Sequence, residues 1–414
     1  MMMMTAIDET TSAHTVNELP PAADARLQAL ITANLDTVFP AAVVAVVKDG
    51  QVVLNQAWGW IDPDTRLVPV TTGTLFDLAS VTKLFTVTAF LSLAGEHGLS
   101  LDAPIMAVLP EFGRSGPRPL DGGIDPHSKK PLPVKDDMRD KRIDPVHVTF
   151  RHLLTHTSGL AAWRDVYNAA GPAPVPPDGF DPIPRQERWS RALAALWNYP
   201  FVDEPGSGVR YSDLGLMLLG EAVSRLYGAS SQLDKAIAAR VIEPLKLETT
   251  LFNPVQNGIS RDRIAPTEDD PLWRKRRVWG EVHDENACGV GGVAGHAGLF
   301  AAARDVAALG QGWLVEDARL GISPRWMREA KQEQTNGERR GLGWVLKSAE
   351  GSSAGELFSM AAYGHTGFTG TSLWIDPARA LVVAALTNSV YPGRLKPGTF
   401  EFRRDLHTLL AAAL

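Results

Sequence analysis

One cysteine, Cys288, stands in 414 residues, so no internal disulfide can form and nothing in the chain requires an oxidising compartment. Long apolar runs are missing as well: the stretch at 41–47 is far too short to span a bilayer. The opening residues have neither a basic start nor an apolar stretch of signal-peptide length, and they carry Asp8 and Glu9. A soluble cytoplasmic protein with a disordered tail over residues 1–20 is therefore expected, or an exported one should the true start lie elsewhere. No long basic run accompanies the net charge of −6, so neither nucleic acid nor an anionic membrane is expected as a partner. Metal and phosphate chemistry lack their patterns. His152 and His156 stand at i, i+4, but Leu153 takes the glutamate place of His-Glu-x-x-His and no Cys or acidic cluster is near. The glycine-rich run 289–300 lacks Gly-x-x-x-x-Gly-Lys-Ser/Thr and does not follow a clear strand as Gly-x-Gly-x-x-Gly should. No metal or organic cofactor is expected.

What is present is ordinary for a soluble globular protein, with 44% hydrophobic and 21% charged residues in a chain long enough for two lobes. An amphipathic helix is expected over 22–35, with Leu27, Leu30, Ile31 and Leu35 on one stripe. Two β-prone runs, 42–47 and 51–54, are joined by Asp49-Gly50, a strong hairpin signal. The polar, Pro- and Gly-rich excursion 113–144 reads as a loop over a cleft mouth, and 171–184 as a rigid surface connection. Helices are expected at 187–196, 213–227, from about 302, and at 401–413. Strands are expected at 342–346, 372–375 and 381–386. The basic cluster 274–277, beside Trp273 and Trp279, reads as a solvated face, with an acidic-substrate patch as the alternative.

Three short motifs carry the chemistry. The first is Ser80-Val81-Thr82-Lys83 at the start of a helix marked by Leu84, Phe85, Val87, Phe90 and Leu91. Lys83 lies one turn from Ser80 on the same face. A serine hydroxyl attacks only when a base takes its proton, and an amine serves only if burial or a nearby cation lowers its pKa from about 10.4. An isolated Ser-x-x-Lys is more often a helix cap with a snorkelling lysine, so the case rests on company. The second motif, Tyr211-Ser212-Asp213, follows the Pro205-Gly206 turn at the mouth of an apolar helix. Beside Lys83, Tyr211 reads as a phenolate-type base; the bland reading makes it a half-buried tyrosine with Asp213 as the helix cap. In the third, Tyr363 to Gly370, His365 and Thr366 on a strand could contact a substrate carboxylate or tune the proton on the base.

In this order the motifs resemble the serine β-lactamase and penicillin-binding-protein superfamily, in its class C, DD-peptidase and family VIII esterase branch. The phrases RHLLTHTSGL, EPGSGVRYSDLGLMLLGE, VHDENA and GGVAGHAGLF are similar to penicillin-binding protein 4B-like hydrolases, and the resemblance runs from about residue 23 to the end. It implies an α+β fold: an α/β sandwich lobe (21–100 and 286–414) whose antiparallel sheet is flanked by helices, with an inserted helical lobe (101–285). It also implies two-step acyl transfer. Ser80 attacks, Lys83 and Tyr211 share the base role, and the backbone N–H groups of Ser80 and Phe368 hold the oxyanion. One such donor is typically worth about 3 kcal/mol. His365, Thr366, Gly367 and Asp213 are the implied substrate-side residues. Asp213 replaces the amide of β-lactamases and His365 their lysine, which argues against strong β-lactam hydrolysis. The expected partner is a small-molecule ester or amide, with a carboxylesterase first. A DD-peptidase or D-aminopeptidase-type amide hydrolase comes second and a weak β-lactamase third. A transacylase remains open, and a non-catalytic binding or sensor module is the alternative of another class.

Overall fold

A computed structural model of the protein describes residues 19–125, 128–134, 136–395 and 397–414. The tail expected over residues 1–20 lies, up to residue 18, outside the described residues. Helix α1 (Pro21–Asn34) leads into strands β1 (Ala41–Lys48), β2 (Gln51–Gly59) and β3 (Phe76–Asp77), then helix α2 (Thr82–Glu96). Helices α3 (Phe150–Leu154), α4 (Arg185–Leu196) and α5 (Asp213–Tyr227) follow, then strand β4 (Leu251–Phe252), helix α6 (Glu285–Gly289), strand β5 (Leu299–Ala301) and helix α7 (Ala303–Leu314). Strands β6 (Val345–Leu346), β7 (Tyr363–Thr366), β8 (Ser372–Asp376) and β9 (Leu381–Thr387) and helix α8 (Thr399–Ala413) end the chain.

The fold is mixed α and antiparallel β. Six strands form one sheet in the order β6-β7-β8-β9-β1-β2. Its β1–β2 hairpin turns at Asp49 and Gly50, both at positive φ (51° and 79°), as a two-residue loop matched to strand twist requires. Strand β1 has no polar alternation because both its faces are covered. Val43, Ala45 and Val47 join the core around α2, while Ala42, Val44 and Val46 pack with Leu27 and Ile31 of α1 and Phe402, Leu406 and Leu410 of α8. On the opposite face α7 lies across β1, β8 and β9. A smaller sheet, β3-β5-β4, leads into the turn that carries Ser80. Every residue of α2 from Thr82 to Ala94 is buried, so its apolar residues run all round the helix, and it packs along α5.

Several local expectations change. Helix α3 stops at Leu154 and His156 sits at φ 57°, so His152 and His156 do not share a helical face. The strand expected at 342–346 is only β6. The excursion 113–144 holds a two-residue ladder, Arg118–Pro119 with Arg142–Ile143, anchored by a buried Arg118 whose guanidinium lies 4.2 Å from the Phe112 ring and 4.4 Å from that of Phe201. The basic cluster 274–277 is not a solvated face: among its four residues only Lys275 is exposed. Arg274 is buried and donates to the carbonyls of Val282 (3.1 Å) and His283 (2.9 Å); Arg276 pairs with Glu281 at 2.7 Å; Arg277 donates to the Tyr391 carbonyl at 2.9 Å. Loop carbonyls need donors, and a planar guanidinium with five N–H groups supplies several at once.

Candidate active site

Ser80 sits in a single 3₁₀ turn, Ala79–Val81, that runs into α2. Its predecessor Ala79 is at φ 45°, a left-handed conformation that costs a residue with a Cβ about 1–2 kcal/mol. Lys83 is 1% exposed. Its ammonium donates to Ser80 Oγ at 2.8 Å and to the His296 carbonyl at 3.0 Å, and pairs with Asp213 Oδ1 at 2.8 Å. Burial presses the Lys83 pKa down, but the Asp213 carboxylate, aided by Tyr211, outweighs it and holds Lys83 above the ordinary lysine value. The lowered lysine pKa that the isolated motif calls for is thus absent at rest. Asp213, a substitution already visible in the sequence, is the physical reason.

The partly buried Tyr211 is presented by the turn before α5. Its ring lies 4.9 Å from Lys83 Nζ and is flanked by the imidazoles of His156 (4.6 Å between centroids) and His365 (6.0 Å). Burial raises the phenol pKa, against Lys83 and hydrogen bonds with Lys83 and Ser80, so the resting residue is a neutral phenol rather than a phenolate. His156 fixes this turn: its Nδ1 accepts the Ser212 N–H at 3.0 Å and its carbonyl accepts that of Arg210 at 2.8 Å. Burial, with Arg340, Lys83 and His365 nearby, keeps His156 well below the usual histidine range, and a neutral ring can accept at Nδ1. The helix cap is Ser212, whose Oγ accepts from the Gly215 N–H at 3.2 Å; Asp213 is the first helical residue, which leaves its carboxylate for Lys83.

The third motif closes the site from the sheet side. Strand β7 carries His365, whose Nδ1 lies 2.9 Å from the Thr366 carbonyl; burial, Lys83 and Arg340 depress its pKa to about 3, so the ring is neutral. It sits behind Tyr211 rather than in the cavity wall, and Thr366 and Gly367 are likewise absent from that wall. Gly367 has a packing reason: a Cβ there would stand 2.1 Å from Thr371 Oγ1 and 2.5 Å from the Leu78 carbonyl. Only glycine lets this loop press against the Ser80 turn, which brings Phe368 to the cavity.

The cavity has a volume of about 230 Å³. Ser80, Tyr211, Asp213 and Phe368 line it, and Lys83 touches Ser80 from behind. The other wall comes from residues with no expected site role: Lys129, Trp163, His283, Asp284, Glu285, His296 and Arg394 among them. His296 Nε2 lies 2.8 Å from Asp284 Oδ1; burial opposes ionisation of Asp284, but His296 holds that carboxyl well below the usual carboxylate range. His283 stacks on Phe368, with 5.6 Å between ring centroids, and its Nε2 lies 3.0 Å from Glu268 Oε1. Burial opposes ionisation of Glu268 too, but His283 and Arg394 bring its pKa to about 2. The phrases VHDENA and GGVAGHAGLF held the signal for 283–285 and 296; Lys129 and Arg394 stand in no motif. Among the described residues no group of three or more His, Cys, Asp or Glu could hold a metal ion.

A protein-family model described as Beta-lactamase matches residues 27–408. A putative D-alanyl-D-alanine carboxypeptidase of Escherichia coli (strain K12) is 31% identical over 399 residues, covering 90% of this chain and 84% of that protein. EstCE1, described as a hydrolase with promiscuous acyltransferase activity, superposes with a TM-score of 0.67 at 22% identity over 93% of this chain and 98% of its own. A penicillin-binding protein homologue from Caulobacter crescentus gives a TM-score of 0.67 at 21% identity over 96% and 99%.

Proposed function

The chain belongs to the beta-lactamase family, as a serine hydrolase of that fold, and from that premise we propose that it hydrolyses small to medium acyl esters through an acyl-enzyme on Ser80. The obstacle is a proton: at rest Lys83 is an ammonium and Tyr211 a neutral phenol, so neither can accept one. Asp213, 2.8 Å from Lys83 Nζ, stabilises that ammonium, so the reactive form is the one in which Lys83 has given a proton to solvent. Lys83 then turns an electron pair toward Ser80 Oγ across 2.8 Å, with Tyr211 bridging the two as a relay. Oγ attacks the acyl carbon, its proton passes to the Lys83–Tyr211 pair, and the developing oxyanion is received by the N–H groups of Ser80 and Phe368. The same pair protonates the departing alcohol. Water then attacks the acyl-enzyme by the reverse proton path, releasing the acid and restoring the Ser80 hydroxyl.

One observation carries the choice of a neutral ester. The lysine and arginine side chains on the cavity wall are already paired: Lys129 with Glu285 at 3.8 Å, and Arg394 with Glu268 and Glu285, each at 2.6 Å. A substrate ending in a carboxylate beside the scissile bond would have to displace one of these carboxylates, at a desolvation cost an uncharged alcohol does not meet. A second reading, D-alanyl-D-alanine carboxypeptidase activity, draws support from the E. coli relative. Hydrolysis of p-nitrophenyl butyrate and release of D-Ala from a D-Ala-D-Ala peptide, on one preparation, separate them. A higher kcat/KM on the ester is expected. Preference for the peptide would transfer the assignment to the carboxypeptidase.

A further inference from the structure

Asp77 takes no part in the chemistry above, yet it joins three walls of the cavity. It ends β3, is 2% exposed, and both carboxylate oxygens receive backbone N–H groups: Oδ1 that of Ala79 at 2.8 Å, Oδ2 that of His283 at 2.6 Å. The first donor belongs to the residue immediately before the nucleophile, the one at φ 45°. The second belongs to the segment that carries His283, stacked on Phe368, and Asp284. The backbone on either side is gripped as well. Thr369 Oγ1 donates to the Asp77 carbonyl at 2.7 Å and Thr371 Oγ1 to the Leu78 carbonyl at 2.9 Å, tying the Phe368 loop to the nucleophile turn.

Left-handed backbone at a residue with a Cβ persists only where its surroundings hold it. Here the hold is a carboxylate two residues upstream. Each oxygen must accept, because each faces an N–H, and a carboxylate is the side chain with two acceptor-only oxygens. We propose that Asp77 is a positioning residue: by clamping Ala79 in its left-handed conformation it sets the direction of the Ser80 N–H and Oγ relative to Phe368. The clamp rests on the reading that Ser80 becomes acylated and adds what holds that serine in register.

The test compares Asp77→Asn, Ala79→Gly and the double variant by the rate of fluorophosphonate labelling at Ser80, by kcat and KM on p-nitrophenyl butyrate, and by thermal melting. Asparagine turns an N–H toward one of the two donors. Labelling and kcat should then fall by about 10²-fold, the usual value of one misdirected oxyanion donor, with KM little changed. Glycine adopts positive φ without help, so Ala79→Gly should restore at least about tenfold of the loss in the double variant while barely altering the wild type. A merely structural Asp77 gives the opposite pattern, because glycine only lowers stability further by loosening the unfolded chain. Should Asp77→Asn fail to fold, Thr371→Val weakens the same turn, and its slower labelling should be relieved by Ala79→Gly in the same way. A folded Asp77→Asn that labels at the wild-type rate, or a loss that glycine does not relieve, overturns the clamp. A wild-type protein that takes no label at Ser80 overturns the acyl-enzyme reading itself, and the clamp with it.

Discussion

The two walls of the cavity differ in how they are assembled. On one side, Ser80, Lys83, Tyr211 and Asp213 come from two short motifs at the N-terminal ends of α2 and α5, helices that pack along each other. Their groups bond mainly to one another. On the other side, Lys129, Trp163, His283, Asp284, His296 and Arg394 arrive from loops far apart in the chain; Lys129, Arg394 and His283 are joined through Glu285 and Glu268, and His296 pairs separately with Asp284. The first wall holds the atoms we propose to react at fixed spacing, which rigid helix ends do well. The second presents charges to whatever enters, and loops can vary that without disturbing the chemistry. On the proposed reading, reactivity and selectivity are built from different parts of the sequence.

Substitutions should separate the walls, and the largest effects belong to the first. Ser80→Ala and Lys83→Ala should each lower kcat on p-nitrophenyl butyrate by on the order of 10⁴-fold or more, and the double variant should lose little beyond either single one, because the two act as a unit. Tyr211→Phe keeps the ring between His156 and His365 but removes the hydroxyl relay; a loss of about 10²–10³-fold in kcat with an unchanged melting temperature is expected.

Asp213→Asn gives a smaller change in rate but a directional one with pH. The carboxylate is what holds Lys83 above the ordinary lysine value against burial. Without it burial prevails and Lys83 loses its proton at lower pH. The rising limb of the kcat/KM profile should therefore shift to lower pH, as a series of rates across neutral and alkaline buffers would record.

The smallest effect lies on the second wall. Glu285→Gln frees Lys129 and loosens Arg394, so activity on a D-Ala-D-Ala peptide should rise relative to the ester by about fivefold, roughly what a partly exposed ion pair is worth. An equal change on both substrates would mean that this wall does not select.

The same contrast explains what the sequence made legible. The Asp49-Gly50 hairpin, the apolar run of β1, the helix behind Ser80 and the helix that starts at Asp213 each follow from contacts between near neighbours, and each lies where the residues indicate. The basic cluster at 274–277 misleads because composition does not say whether unpaired loop carbonyls wait nearby to bury an arginine. His156 is hidden for a related reason: its importance comes from a left-handed turn beyond a short helix, which places its ring on Tyr211. Lys129 and Arg394 meet across Glu285 from positions more than 260 residues apart, a juxtaposition no local pattern encodes.

The central claim is a covalent one. The protein is mixed with p-nitrophenyl butyrate, quenched in acid within the first turnovers, digested and examined by mass spectrometry. The butyryl group should appear on the peptide containing Ser80, disappear with further incubation, and be missing from Ser80→Ala. Ester turnover without an acyl group on Ser80, or with one on another side chain, would contradict the account.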